Sequence, residues 1–239
     1  MDVSAEAGDE GVMILSSDAQ RLWRAALRMK AHALSRVTAD VRASGAWRKA
    51  ALPPLLVFTD PERLPSPWEA AACLPAGAGL VYRSFGAPDA LEVARRLRHI
   101  TRERDVVFLI GLDADLADSV GADGVHLPER ALSAAYALGG RRPEWLLTGA
   151  VHSVEAAAVA RDLDAVVLSP IFKPGGASAM KPALGLPSLI EASRRSLTPV
   201  YALGGIDADR AESLVDSGAF GVGGIDAFAR AFGPDPIRI

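Results

Sequence analysis

PVYALGGIDADRAESLVDSGAFGVGGIDAFAR, residues 199–230, holds two copies of one pattern: an apolar run, a Gly-Gly pair, then a helical segment. The runs around Val200 and Val222 are continuously apolar instead of alternating, the mark of strands buried on both faces. A strand followed at once by a helix, and repeated, builds a parallel sheet covered by helices.

Working outward, the apolar run recurs six more times, without the Gly-Gly pair. LLVFTD, GLVYRS, VVFLIGL, GVHLP, WLLTGAV and AVVLSPIF are short runs rich in Val, Leu and Ile. Between most of them lie helical segments such as DALEVARRLRHITRER, DADLADSVG, ALSAAYALGG, SVEAAAVARDL and LPSLIEASRRSL. Eight units within residues 51–239 predict a closed (β/α)8 TIM barrel. A doubly wound open sheet is the alternative, but no early Gly-rich strand-to-helix turn of the dinucleotide kind is present.

Residues 1–50 read differently, as a tail and a helical extension. Residues 18–50 carry eight Lys/Arg against two Asp/Glu. Leu22, Ala26, Met29, Ala33, Val37 and Val41 recur there at the spacing of one helical face. This predicts an extra N-terminal amphipathic helix, lying on the barrel or on a partner subunit, so a homodimer is one expectation. A basic arm for nucleic acid is the sharper reading, but charges opposite an apolar stripe are usually just solvated.

Composition narrows the classes further. The chain has 239 residues, a net charge of -3 and one cysteine, Cys73, so no intrachain disulfide can form. The opening MDVSAEAGDE is acidic where a signal peptide is basic, and no apolar run reaches membrane-spanning length. The expectation is a cytoplasmic protein with a small-molecule partner, and neither nucleic acid nor membrane.

In such a barrel, function sits at the C-terminal ends of the strands. Gly204 and Gly205 end the seventh run, and Gly223 and Gly224 end the eighth. Without a Cβ, their N–H groups can approach an anion closely, and each following helix points its positive end there. These four glycines predict a phosphate site. Arg83, after the second run, is a candidate anion clamp or a rim salt bridge. Lys173 and Lys181, from the Pro/Gly-rich loop SPIFKPGGASAMKPALG, could reach the same anion or stay solvated. His152, where the fifth run meets SVEAA, is the catalytic candidate, since imidazole exchanges protons at neutral pH. Ser153 behind it is the expected N-cap.

FTDPER, VYRS, DLADSVGADGVHLP, GAVHSVEAA, DAVVLSPIFKP, KPALGL and PVYALGGIDADRAESLVDSGAFGV, in this order, resemble the thiamine-phosphate synthase family and its sister branch, the thiazole tautomerases. The resemblance implies a barrel that binds phosphorylated thiazole on the glycine turns. Synthases also bind hydroxymethylpyrimidine pyrophosphate and ionise it with Mg2+. Against their pattern the chain departs at three places. Gln-Leu-Arg-Glu-Lys becomes Val81, Tyr82, Arg83, Ser84 and Phe85; Asn-Asp-Arg becomes Gly111, Leu112 and Asp113; Gly-Gln-x-Asp becomes Pro128, Glu129, Arg130 and Ala131. Asp113 and Asp115 then read as helix starters, and no metal site is expected; Mg2+ enters only with synthase activity. The tautomerase branch shares these losses and keeps Val-His-Ser at the fifth strand, where its histidine moves a proton on carboxythiazole phosphate. The expectation is therefore tautomerase-type proton transfer by His152 without a cofactor. Synthase activity comes second, and a non-catalytic thiazole-phosphate sensor or another phosphate-binding barrel stays open.

Overall fold

The computed structural model describes residues 15–36, 51–173 and 182–233. Eight parallel strands close into one barrel in sequence order, with the first paired to both the second and the eighth. They are β1 (Leu55–Phe58), β2 (Gly79–Tyr82), β3 (Val107–Gly111), β4 (Gly124–Leu127), β5 (Leu146–Val151), β6 (Ala165–Leu168), β7 (Val200–Leu203) and β8 (Gly221–Gly224). Helices alternate with them: α1 (Ser17–Ser35) precedes β1, then come α2 (Pro67–Cys73), α3 (Ala90–Glu103) and α4 (Ala114–Val120). A 3-10 turn over Glu129–Ala134 leads into α5 (Ala135–Arg141), followed by α6 (Val154–Val159), α7 (Gly185–Arg195), α8 (Ala208–Ser213) and α9 (Asp226–Phe232).

The continuous apolar runs follow from burial on both sides. Leu56, Phe58, Val81, Leu109, Val167 and Tyr201 fill the barrel interior, while Leu55, Val57, Leu80, Phe108 and Ile110 face the helices. Below the strands, Tyr201 donates its hydroxyl to Pro53 O at 2.5 Å. Asp123, inside the GADGVHL run, is structural: it accepts from Phe108 N at 2.8 Å and forks with Arg98 at 2.8 and 2.9 Å, tying α3 to the foot of β4.

The extra helix exists and lies on its own barrel. Ser16 caps α1 by accepting from Ala19 N, and its hydroxyl donates to Ala231 O at 2.8 Å. Ala19, Leu22, Ala25, Ala26 and Met29 are buried on the face that meets α8 and α9. Val37 and Val41, read from the sequence as the rest of this stripe, lie outside the described residues. Among the described residues no helix is long and apolar enough to cross a membrane.

Two details differ from the sequence reading. Helix α2 is an addition, and Pro67 stands in its first turn, where the missing N–H costs nothing. Gly223 and Gly224 do not make a corner: both lie inside β8, without the positive φ of a turn. A Cβ on Gly224 would fall 2.1 Å from the Phe228 ring, so close packing of α9 on β8 requires glycine there.

Candidate active site

A cavity of about 480 Å3 opens at the C-terminal ends of the strands. Gly204 and Gly205 form its corner at β7, with φ of +105° and +64°. Only glycine adopts such angles without penalty. The corner is also stitched to the loop after β6. Phe172 N donates to Gly204 O at 3.0 Å, and a Cβ on Gly205 would fall 2.5 Å from Lys173 O. Gly224 lines the cavity as well, whereas Gly223 lies lower, against Phe58 and Leu203.

Of the expected cations, Arg83 and Lys173 reach this cavity. Lys181 lies outside the described residues. Of the two roles left open for Arg83, the rim salt bridge is present. The Arg83 Nε donates to Thr59 O at 2.7 Å and its Nη2 contacts Asp60 at 3.3 Å, so the β1 end holds the guanidinium in place. Burial pushes its pKa down, while Asp60 opposes the shift.

The sequence reading missed three more arginines. Arg63 reaches in from the loop after β1, Arg210 from α8 and Arg230 from α9. Arg210 donates to Gly205 O at 2.5 Å and lies over the Phe172 ring, bracing the glycine corner. Arg63 makes a two-pronged pair with Asp226, with Nε to Oδ1 at 2.6 Å and Nη2 to Oδ2. That hydrogen-bonded carboxylate raises the Arg63 pKa. FTDPER advertises Arg63 as a charge near a strand end; nothing local connects it to Asp226.

His152 also lines the cavity, and its Nδ1 contacts Glu129 Oε2. Both side chains are close to 40% exposed, so the pair works in partly wet surroundings. A carboxylate on one ring nitrogen fixes the tautomer and leaves the other for a substrate. Ser153 caps α6 as expected, accepting from Ala156 N at 3.0 Å. His126 is different: it sits buried at the cavity floor, hydrogen-bonded to Thr148 Oγ1 at 2.9 Å and edge-on to Phe58. Burial, with the charge of Arg83 adding to it, pushes its pKa down to about 3. It is therefore a neutral packing residue at physiological pH.

Comparison with known proteins follows the same lines. The family model described as thiamine monophosphate synthase matches residues 63–228. The chain belongs to the thiamine monophosphate synthase family. A putative thiamine-phosphate synthase 2 of Aquifex aeolicus is 35% identical over 57% of this chain and 74% of its own length. The thiamine-phosphate synthase of Laribacter hongkongensis is 31% identical over 68% of this chain and 79% of its own. Among solved structures, thiamine phosphate pyrophosphorylase from Pyrococcus furiosus aligns with a TM-score of 0.65 and 27% identity, covering 79% of this chain and 91% of that one. These names favour synthase activity over the tautomerase chemistry that the sequence reading puts first.

Synthase chemistry within this family raises the question of Mg2+, and the residues present do not suit it. Hard cations want several oxygen ligands at one point. Among the described residues no three His, Cys, Asp or Glu side chains gather around a possible metal position. Asp113 spends its carboxylate capping α4, accepting from Leu116 N at 2.8 Å, and Glu129 is engaged with His152. Leu112 and Ala131 stand where the synthase pattern has aspartates.

Proposed function

We propose that this protein is a cytoplasmic enzyme of thiamine biosynthesis that joins a phosphorylated thiazole to hydroxymethylpyrimidine pyrophosphate. In that reaction the thiazole nitrogen forms a bond to the pyrimidine methylene carbon. The carbon–oxygen bond to pyrophosphate breaks, and pyrophosphate leaves with the electron pair.

The observation that carries this reading is the cation surplus of the cavity. Arg63, Arg83, Lys173, Arg210 and Arg230 line it against two carboxylates, Asp207 and Asp226. One phosphate ester needs fewer positive groups; an ester together with a pyrophosphate accounts for the excess. Arginine offers planar, two-pronged donors that match phosphate oxygens and keep their charge when buried. Positive groups positioned beforehand around a leaving anion are normally the largest catalytic contribution. In this reading the Gly204–Gly205 corner receives the ester phosphate, and the arginines stabilise the departing charge.

A second reading has its own support in the His152–Glu129 pair, which is built for moving a proton and has no evident part in displacing pyrophosphate. On it, His152 isomerises a carboxythiazole phosphate. One assay separates the two. Purified protein is given thiazole phosphate with pyrimidine pyrophosphate, with and without Mg2+, and separately carboxythiazole phosphate alone. Thiamine phosphate in the first mixture supports the synthase reading. Its absence under both metal conditions, together with isomerisation in the second mixture, replaces that reading with the tautomerase one.

A further inference from the structure

The Arg63–Asp226 pair is the most unexpected feature of the cavity, because it places a carboxylate inside an anion site. Asp226 opens α9 directly after Gly224 and Ile225, both of which line the cavity, and its two oxygens fill the fork of Arg63. Both side chains are only partly exposed, at 25% for Arg63 and 32% for Asp226. A planar carboxylate on a guanidinium fork is the geometry that a phosphate adopts on the same group.

We propose that Asp226 stands in for the ligand's phosphate in the free protein and sets the threshold for its binding, so that an incoming phosphate must take Arg63 away from it. This rests on the cavity being a phosphate site. Two observations and one electrostatic argument carry it. Among the described residues Asp226 alone occupies the Arg63 fork, so a phosphate gains that guanidinium only by displacing it. The displaced carboxylate has somewhere to go: Arg230 stands four residues along the same helix, lines the same cavity and forms no ion pair among the described residues. Residues four apart on a helix face one another, so the exchange needs only side-chain rotation. Finally, a doubly charged ester or a pyrophosphate is drawn to the Arg63 guanidinium more strongly than a singly charged ligand, so it displaces the Asp226 carboxylate more readily.

The consequence is a pair of opposite signs. Removing the Asp226 charge weakens the free fold, because Arg63 loses its partner, but tightens anion binding, because the competitor is gone. A carboxylate that merely positioned Arg63 for the ligand would lower both. The test titrates full-length wild type, Asp226→Asn, Asp226→Ser and Arg63→Gln with inorganic phosphate and with pyrophosphate by calorimetry, and records thermal unfolding of each free protein. We expect both Asp226 variants to melt below wild type yet bind the two anions about tenfold more tightly, and Arg63→Gln to bind them about tenfold more weakly; the second Asp226 variant guards against one of them folding poorly. Unchanged or weaker binding by a folded Asp226 variant, with wild type still binding, overturns the stand-in role alone. If neither wild type nor the Asp226 variants bind either anion, the phosphate site itself falls, and this inference with it.

Discussion

The two sides of the barrel mouth are built from different materials. Around β7, β8 and the loop after β1, the cavity wall is charged and cross-tied: Arg210 on Gly205 O, Arg63 on Asp226, and the β6 loop hydrogen-bonded to the glycine corner. At the ends of β2 and β3 the exposed side chains are Phe85 and Leu112, 68% and 47% exposed, where the synthase pattern has a lysine and an aspartate. Both have left-handed backbones, with φ of +49° and +66°. Non-glycine residues in that region cost roughly 1 kcal/mol or more, and such strain gathers at ligand sites. Phe85 stacks against Arg83 at 5.2 Å, so the apolar side also shields the one cation it contributes. The contrast teaches that the cations of the mouth gather along one wall, with Arg83 the exception, while the other wall exposes apolar side chains.

The largest expected effect breaks the comparison at His152, between the two walls. If proton transfer is the reaction, His152→Ala lowers isomerisation of carboxythiazole phosphate by about 10^2 to 10^4-fold while its affinity, read by calorimetry, stays put. If condensation is the reaction, the same variant keeps thiamine phosphate formation within a few-fold of wild type. Loss of both activities alike would mean that His152 shapes the site instead of acting in it.

Arg83→Ala should come next. Arg83 is held half-buried in the cavity by Thr59 O and Asp60, so its truncation removes a positioned cation and strands Asp60. Affinity for thiazole phosphate should fall about 100-fold or more, with Arg83→Lys recovering little, because lysine cannot span Thr59 O and Asp60 at once.

A subtler effect concerns pH. His126 binds its proton with a pKa of about 3 in the folded state, against about 6.5 when unfolded. The unfolded chain therefore takes up a proton first as pH falls. Stability from this group is complete above about pH 6.5 and is lost toward pH 3, at up to about 1.4 kcal/mol per pH unit. Urea unfolding between pH 7 and pH 4 should show this slope, and His126→Gln should flatten it. A slope unchanged in the variant would assign the acid sensitivity to other groups.

The smallest expected change sharpens the apolar side. Phe85→Gly relieves a left-handed non-glycine backbone and should raise the stability of the free protein by about 1 kcal/mol or less, seen as a small rise in Tm. If Phe85 also contacts the substrate ring, KM rises in the same variant.

Much of the barrel was legible because burial on both faces writes itself into sequence as unbroken apolar runs, and all eight became strands. Gly204 and Gly205 were legible as a turn, because residues without a Cβ can take the positive φ that ends β7. Gly223 and Gly224 looked identical on paper and are not: one pair bends the chain, the other makes room for the Phe228 ring. That distinction belongs to packing, which no local pattern records. The pairs that define the site were hidden for a related reason. Arg63 and Asp226 stand 163 residues apart, and His152 and Glu129 stand 23 apart, and only barrel closure brings them together. Glu129 reads as a rim charge, and nothing in the sequence singles out Asp226, until the fold supplies their partners.

The added helix bears on the cavity from behind. Arg21 on α1 grips Asp209 and Glu212, both on the six-residue α8, while Ser16 holds the end of the seven-residue α9 through Ala231 O. Helices this short have little stability of their own. The N-terminal segment thus acts as a keel: cut it away, and the scaffold under Arg210, Asp226 and Arg230 would sway although no residue inside the pocket had changed.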